Sequence, residues 1–301
     1  AERTRSQAAG LLGCAVDEIA ITRSTSDGMN AIAQGLGLTA GNRVLTSDQA
    51  HEGGSMCWQY LARRGGIGID VIPIPPGEND VGAILDRLRA AITPNTRVIS
   101  ISHVLASTGL RLPIAEISAL ARSRGIHCVV DGAQAVGEIE VNVKALGCHA
   151  YATSGHKWLM APKGTGLLYL SSETKESIQP IQFEDSRAFY NETTGVGNLP
   201  GAVGLGVALE SLNQTGIANV ERHNIQLRNR IHEGFTSLGV GRVVSPAPGP
   251  LATALITIEL PARFDSQQIF RALRDKHRIQ VKLVPKRWLN GIRLSPHIFN
   301  T

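Results

Sequence analysis

The feature that most constrains this chain is the alternation of short apolar runs with longer amphipathic segments between residues 19 and 151. The runs at 19–22, 43–46 and 96–102 are rich in β-branched and other apolar residues and have the length of buried strands. Between such runs lie helix-like segments, one of them bounded by Pro113 and Gly125, the residues that typically open and close a helix. Strands that alternate with helices favour an α/β fold with a mostly parallel sheet.

The length of the chain predicts more than one domain. With 301 residues, it is long enough for one large domain and part of a second. We expect a large domain over residues 1–220, in which Trp58 and Tyr60 belong to a helix and to the core. From about residue 243 the order is strand, helix, strand, which predicts a smaller α+β domain over residues 221–301.

Composition excludes several classes of function. A formal charge of +5 suits anionic ligands, but Lys and Arg are scattered and form no basic stripe, so we expect no nucleic-acid partner. No apolar run approaches the roughly 18 residues of a membrane span, and we expect neither a membrane span nor a signal peptide. The four cysteines have neither CxxC nor metal-ligand spacing, which predicts no metal site and a cytoplasmic location.

Two functional groups follow successive strands in the middle of the chain. The run Cys128-Val129-Val130 stops at Asp131, and a second run, 150–153, is followed by the polar segment that contains Lys157. Open α/β sheets bind ligands at the carboxyl ends of their strands. An acid and a lysine in these places therefore predict a pocket. For either residue alone, a helix cap or a solvated loop lysine is the simpler interpretation.

The stretches DGAQAVG, TSGHKW and GTGLLYL, between residues 131 and 170, together resemble the core of class V aminotransferases. These are fold-type-I enzymes that use pyridoxal 5′-phosphate (PLP), and they include cysteine desulfurases, C–S lyases and isopenicillin N epimerase. The resemblance covers nearly the whole chain. It implies a PLP-binding large domain with a mostly parallel sheet, a smaller C-terminal domain, PLP as cofactor and an amino-acid substrate.

The resemblance also implies roles for residues of these motifs. Lys157 would carry PLP as a Schiff base, because a desolvated lysine amine can lose its proton and attack an aldehyde. Asp131 would pair with the pyridine nitrogen and keep the ring an electron sink. Gln134 matches the position that contacts the phenolic oxygen of the ring, and Ser154 and His156 match positions that hold the phosphate.

Further residues correspond to family positions outside this core. Thr25 and Ser26 stand at a predicted helix start, where free N–H groups favour a phosphate. His51 follows a strand and matches a histidine that stacks on the ring and shuttles protons. Arg293 matches the arginine that grips the substrate carboxylate, for which its planar fork is suited. Many desulfurases place an asparagine after the fourth strand; here Ser107 is the nearest polar residue.

The resemblance further implies a homodimer with the site at the interface. The polar, glycine-rich segment 183–200 corresponds to a loop that reaches the PLP phosphate of the partner subunit, with Thr193 or Thr194 as the contact. The chain starts at Ala1 within a helix-like segment. Family members have segments before and after this stretch, so we expect that these are missing here.

Several reactions share this set of residues. A cysteine desulfurase needs a mobile cysteine shortly before the arginine, but no cysteine follows Cys148, and the segment 280–290 is short. The remaining reactions are those of a C–S lyase, an isopenicillin N epimerase or a transaminase, each with Lys157 as the base that moves the α-proton. We favour the epimerase and C–S lyase branch. Alternatives are a desulfurase supplied with a thiol by another chain, a sugar aminotransferase, which would not need Arg293, and a silent scaffold, which would lack Lys157, Asp131 or Arg293.

Overall fold

The structure is a computed structural model that describes residues 2–178, 190–191 and 195–301. The strands of its larger sheet are β1 (Ile19–Thr22), β2 (Arg43–Ser47), β3 (Gly68–Ile72), β4 (Thr96–Ser102), β5 (His127–Asp131), β6 (Ala150–Ser154) and β7 (Gly166–Leu170). Within residues 2–178 these seven strands lie in the order β1-β7-β6-β5-β4-β2-β3. Neighbours from β6 to β3 are parallel, whereas β7 runs antiparallel to both β1 and β6.

Helices connect these strands. They are α1 (Glu2–Leu12), α2 (Thr25–Gly35), α3 (Glu52–Gly65), α4 (Val81–Ala91), α5 (Ile114–Arg122), α6 (Val143–Leu146) and α7 (Ser172–Ser177). Their starts follow the expected capping chemistry. Ser24 accepts a hydrogen bond from the amide of Asp27, and Asp80 accepts one from the amide of Ala83. The local sequence therefore fixes where these helices begin.

The larger sheet is buried on both faces. Val129 and Val130 are consecutive residues of β5, yet they belong to different apolar clusters on opposite sides of the sheet. Ala150 and Tyr151 of β6 divide in the same way. This burial explains why β5 and β6 carry consecutive apolar residues at these positions instead of an alternation of apolar and polar residues.

Beyond residue 178 the described residues form a short hairpin, two long helices and a second sheet. Their bounds are β8 (Tyr190–Asn191), β9 (Gly195–Val196), α8 (Leu199–Thr215), α9 (Ile217–Leu238), β10 (Arg242–Val243), β11 (Ile256–Glu259), α10 (Ser266–His277), β12 (Lys282–Leu283) and β13 (Gly291–Leu294). Within residues 242–294, four antiparallel strands lie in the order β10-β11-β13-β12. Apolar residues of α9 and α10 pack against this smaller sheet.

The architecture confirms the predicted α/β fold, with a mostly parallel larger sheet and a smaller C-terminal unit of helices and strands. The division at residue 220 falls inside α9 and stays a prediction. Two local expectations were wrong: Tyr60, expected in the core, is 46% exposed, and α8 begins at Leu199, inside the segment expected to be a loop. In the part of the chain that the structure describes, no helix combines the length and apolarity needed to cross a membrane.

Candidate cofactor and substrate site

The predicted acid lies at the carboxyl edge of the larger sheet. Asp131 is the last residue of β5, and its backbone pairs with Ala152 of β6, two residues before that strand ends. Its Oδ1 accepts a hydrogen bond from the amide of Ala133 at 2.9 Å, and its side chain is buried. The turn that carries Lys157 follows β6 directly. The acid and the lysine therefore meet where the strand order predicts a ligand site.

A glycine lets another helix approach this carboxylate. A Cβ atom placed on Gly54, in the first turn of α3, would lie 2.3 Å from Oδ2 of Asp131. Only glycine therefore fits there. Burial raises the pKa of Asp131, while the Ala133 amide and the charge of Lys157 act in the opposite direction. The carboxylate is thus placed to pair with a cationic group inside the site.

Lys157 stands in a tight turn with its side chain half-buried. The turn is closed by the amide of Met160 on the carbonyl of Lys157 at 2.9 Å and by the amide of Ala161 on the carbonyl of Gly155 at 2.8 Å. Among the described residues, Nζ has no hydrogen bond or ion pair. Burial lowers the pKa of Lys157; the charge of Arg293 adds to this effect and Asp131 opposes it. A larger unprotonated fraction makes this amine a better nucleophile and base.

The two candidate phosphate elements touch each other. At the start of α2, the amide of Thr25 donates to Oγ of Ser154 at 2.8 Å, and the two hydroxyl oxygens lie 2.7 Å apart. Ser26 is close to α3, since a Cβ on Gly53 would lie 2.8 Å from its Oγ. A helix N-terminus with the hydroxyl groups of Thr25, Ser26 and Ser154 beside it suits a phosphate.

His51 and Gln134 are fixed by short contacts. His51 caps α3, and its Nδ1 accepts a hydrogen bond from the amide of Gly53 at 3.0 Å. Burial lowers the pKa of His51, with a further contribution from the charge of Lys157, so the ring is neutral near pH 7. Oε1 of Gln134 accepts from the indole N–H of Trp158 at 2.8 Å. This bond leaves the amide NH₂ of Gln134 as a donor for a ligand oxygen.

The remaining phosphate candidates are less constrained. His156 is exposed and has no hydrogen bond within the described residues. Burial lowers its pKa, and the charges of Lys157 and Lys163 act in the same direction. The predicted contacts Thr193 and Thr194 lie outside the described residues. The roles of all these residues stay predictions.

Arg293 approaches the site from the smaller sheet. It lies in β13, opposite Thr257 of β11, and its Nη1 donates to the carbonyl of Ala106 in the turn after β4. Burial lowers the pKa of Arg293, and the electrostatic influence of the guanidinium reaches both Lys157 and His51. Its Nε is buried without a hydrogen-bond partner among the described residues. Nε and Nη2 therefore remain as a pair of donors that matches a carboxylate.

Sequence reasoning missed one buried acid beside this arginine. Glu138 has no exposed surface, and its Oε1 accepts a hydrogen bond from the amide of Ala254. Burial raises the pKa of Glu138 to about 8, while nearby amides and the charge of Arg293 oppose the rise. The available signal was a glutamate directly after the DGAQAVG motif, between Gly137 and Ile139. The hydroxyl of Ser107, the other polar candidate here, is buried without a hydrogen-bond partner in the described residues.

The donors and acceptors of this site fit PLP. The hydroxyl groups at the start of α2 suit its phosphate, the carboxylate of Asp131 suits its pyridine nitrogen, and the NH₂ of Gln134 suits its phenolic oxygen. The amine of Lys157 suits its aldehyde. Each group that the cofactor presents thus has a matching side chain.

Comparisons with known proteins agree with this assignment. Residues 1–283 match the profile of the family described as aminotransferase class V. The chain is 30% identical to isopenicillin N epimerase from Amycolatopsis lactamdurans, over 99% of this chain and 80% of that protein. It is 34% identical to cysteine desulfurase from Klebsiella pneumoniae, over 74% of this chain and 58% of that protein.

Solved structures show the same fold. The apo structure of cysteine desulfurase from Thermococcus onnurineus matches with a TM-score of 0.87 and 26% identity, over 100% of this chain and 79% of that one. The cystine C–S lyase C-DES, solved with its product cysteine persulfide, matches with a TM-score of 0.86 and 24% identity, over 100% and 82%.

Proposed function

This chain belongs to the class V aminotransferase family, which is PLP-dependent, and from that premise we propose that it removes the α-proton of an amino-acid substrate, with Lys157 as the base. The observation that carries the proposal is the state of the lysine. Lys157 is half-buried, its pKa is lowered by burial, and it interacts electrostatically with Asp131 and Arg293. A base must be unprotonated at its working pH, and this environment favours that form.

One group of side chains would hold the cofactor, and another would bind the substrate. Thr25, Ser26, Ser154 and His156 would hold the phosphate, and Asp131 would hold the ring nitrogen. When bound, PLP withdraws electrons from Cα and makes the α-proton acidic. Gln134, tied to Trp158, would donate to the phenolic oxygen and fix the tilt of the ring.

Arg293 would bind the substrate carboxylate through Nε and Nη2, because Nη1 already donates to Ala106. Such a two-point contact orients the Cα–H bond toward Lys157. For a reaction that returns the proton to the other face, His51 is the second proton carrier. It would deliver the proton from Nε2 of the imidazolium form, which leaves the neutral ring. Because Nδ1 accepts from Gly53 in the neutral ring, forming the imidazolium would break that hydrogen bond.

We favour isopenicillin N epimerase-like or C–S lyase-like chemistry for this base. Coverage does not separate the epimerase, matched over 80% of its length, from the Thermococcus desulfurase, matched over 79%, so the preference rests on the cysteines. Burial raises the pKa of Cys14 and of Cys57 to about 12 and that of Cys128 to about 11, and Cys148 is buried as well. Such thiols are poor nucleophiles, which argues against a persulfide carried by the chain itself. Amino-group transfer, and desulfuration with a thiol from elsewhere, are the alternative outcomes.

An absorption spectrum tests the proposal directly. We expect PLP-supplemented protein to show a visible band that borohydride removes, with the mass increment fixed on the Lys157 peptide. Lys157→Ala should abolish the band and slow α-proton exchange by several orders of magnitude. Lys163→Ala changes an exposed lysine six residues away and should retain both. If Lys157→Ala retains the borohydride-sensitive band, Lys157 is not the attachment site.

Products then separate the reactions. The protein is incubated in D₂O with L-cysteine, L-cystine or L-alanine, and pyruvate, sulfide and the D/L ratio are measured. Pyruvate formed from L-cysteine or L-cystine without an added keto acid indicates the lyase. A D/L mixture with deuterium at Cα indicates the epimerase, and turnover that needs a keto acid, including pyruvate from L-alanine, indicates the transaminase.

We further propose that the protein acts as a homodimer in the cytoplasm. Leu199, Val203 and Val207 recur every four residues on α8 and are all about half exposed, and Met160, three residues after Lys157, is exposed as well. An exposed apolar stripe on a helix that packs beside the lysine turn, where Gly204 lies against Pro162, suits a subunit interface. The four cysteines, Cys14, Cys57, Cys128 and Cys148, are unpaired, as in reducing compartments.

The dimer has its own test. Val203→Glu should shift the sedimentation coefficient toward that of a monomer and lower activity, because it places a charge in the apolar stripe. Leu238→Glu, at the exposed end of α9, is the matched control and should remain dimeric. A monomeric wild-type protein with full activity would contradict the proposal.

A further inference from the structure

Trp158, the residue directly after Lys157, is held by contacts on several sides. Its indole N–H donates to Gln134 at 2.8 Å, and its carbonyl oxygen accepts a hydrogen bond from Nε2 of His297 at 2.9 Å. The rings of Trp158 and His297 meet edge to face, with centroids 5.0 Å apart. Gly137 lies so close that a Cβ there would stand 2.5 Å from the carbonyl carbon of Trp158. The backbone after Lys157 is therefore clamped between Gly137 and His297.

The tautomer of His297 is fixed by its two partners. A carbonyl can only accept, so Nε2 must carry the proton that it donates to Trp158. Nδ1 then accepts from the side-chain NH₂ of Asn224 in α9, at 3.1 Å. Both side chains are buried, with 3% exposure for His297 and none for Asn224. Neutral His297 thus connects Asn224 of α9 to the backbone of the lysine turn through two hydrogen bonds.

The segment that provides His297 also provides the substrate arginine. Arg293 lies in β13, and His297 follows four residues later in a loop whose ends are tied. The amide of His297 donates to Oδ1 of Asn300 at 2.9 Å, and Nε2 of His223 lies 3.0 Å from the carbonyl of Asn300. One short segment therefore contains the residue that would grip the carboxylate and contacts the turn that carries the base.

The lysine turn needs such support. Met160 has a φ of 55°, which lies in the left-handed region and is strained for a residue with a Cβ atom. Strained backbone persists only where its surroundings hold it. Between Lys157 and Met160, the carbonyl of Trp158 accepts a hydrogen bond from His297, and no other described residue donates to it.

We propose that His297, held by Asn224, is a positioning residue that fixes the Lys157 amine relative to Arg293 and so controls the rate of α-proton transfer. This role rests on the proposed function of Lys157 and extends it. His297 touches neither substrate nor cofactor in this scheme and acts through the backbone of Trp158. Because a displacement of about 1 Å in a reacting group can cost about 100-fold in rate, its loss should reduce turnover far more than substrate binding.

Three variants separate positioning from folding. His297→Leu removes the donor, and His297→Gln keeps an N–H donor at a similar reach. His223→Gln is the matched control, since it changes a histidine that contacts the same loop but not Trp158. With holoenzyme we expect His297→Leu to slow α-proton exchange of L-alanine in D₂O by about 10- to 100-fold, with a less than 3-fold change in the Kd from spectral titration. His297→Gln should restore most of the rate, and His223→Gln should match the wild type.

A measurement on the cofactor-free protein keeps the two proposals apart. Amide hydrogen exchange of residues 155–161, followed by mass spectrometry, should be faster in His297→Leu than in wild type and His223→Gln, whether or not the enzyme turns over. If that segment exchanges equally in all variants, or if His297→Leu lowers rate and affinity by the same factor, the positioning role is wrong. If the segment loosens but wild-type holoenzyme exchanges no α-proton, the clamp stands and the function proposed for Lys157 is wrong, and with it the effect on rate.

Discussion

The two walls of the site are built differently. The cofactor wall consists of Thr25, Asp131, Gln134, Ser154 and Lys157, four of which come from one stretch of 27 residues. Its side chains mostly bond to one another or to adjacent backbone, as in the 2.7 Å contact between Thr25 and Ser154 and the 2.9 Å bond from Ala133 to Asp131. The contact of Thr25 with Ser154 joins residues 129 apart, whereas the rest of this wall is organised by one motif and by the ends of the neighbouring strands β5 and β6.

The substrate wall consists of Ser107, Glu138 and Arg293, which come from three distant parts of the chain. Arg293 donates to a carbonyl 187 residues away, and Glu138 accepts from an amide 116 residues away. Each of the three residues also has a buried polar atom without a partner among the described residues: Oγ of Ser107, Oε2 of Glu138 and Nε of Arg293. Such atoms are costly unless bonded, so this wall is the one suited to read the polar groups of a substrate.

The largest effect should come from the cofactor wall. Asp131→Asn keeps the shape of the side chain but removes the charge that would pair with the ring nitrogen, so we expect turnover to fall by at least about 100-fold. The rate of α-proton exchange and the visible spectrum measure this effect. Asp86→Asn, at an exposed acid on α4, is the control. Unchanged turnover in Asp131→Asn would mean that this carboxylate does not tune the cofactor.

A change in the substrate wall should act on binding. Arg293→Gln removes a buried charge-assisted contact worth about 2 kcal/mol or more, so we expect the Kd for an amino acid to rise about 30-fold. Spectral titration with L-alanine and with ethylamine, which has no carboxylate, measures the effect. Wild type should prefer alanine strongly, and the variant should not. Arg287→Gln, an exposed arginine paired with Glu52, should behave as wild type. If Arg293→Gln weakened the binding of alanine and of ethylamine equally, recognition of the carboxylate by Arg293 would be excluded.

The contrast between the walls also explains what the sequence could predict. The strands were recognisable because buried parallel strands are continuously apolar, and Asp131, Gln134, Ser154 and Lys157 were recognisable because they lie within one motif. Arg293 was found only through resemblance, since nothing near it in sequence indicates Ala106 as its partner. Only the structure shows where Arg293 lies and that one of its nitrogens, Nη1, is already hydrogen-bonded.

Two site residues escaped prediction for a common physical reason. The partners of Glu138 and His297 are backbone atoms, the amide of Ala254 and the carbonyl of Trp158, which lie 116 and 139 residues away. Backbone atoms leave no residue-type signature in a sequence. The prediction that Tyr60 is buried was wrong for a different reason. An aromatic residue within a helix does not by itself indicate which face of the helix is buried.

The smallest expected effect is on the pH dependence of stability, and it tests the charge of Glu138 in the substrate wall. Burial raises the pKa of Glu138 from 4.5 to about 8, so the folded protein binds a proton that the unfolded chain releases between these values. The contribution of Glu138 to stability is therefore full below about pH 4.5 and is lost progressively as the pH rises toward 8.

Glu138→Gln cannot ionise and should escape this loss. The free energy of unfolding is measured by urea denaturation at pH 5, 6.5 and 8. The difference between Glu138→Gln and wild type should shift in favour of the variant by more than about 1.4 kcal/mol from pH 5 to pH 8, the equivalent of one pKa unit. Glu176→Gln, at an exposed glutamate, should show a constant difference. A constant difference for Glu138→Gln as well would mean that this acid is ionised in the folded protein throughout. Arg293 would then face a permanent negative charge, and the carboxylate selectivity expected of the substrate wall would weaken.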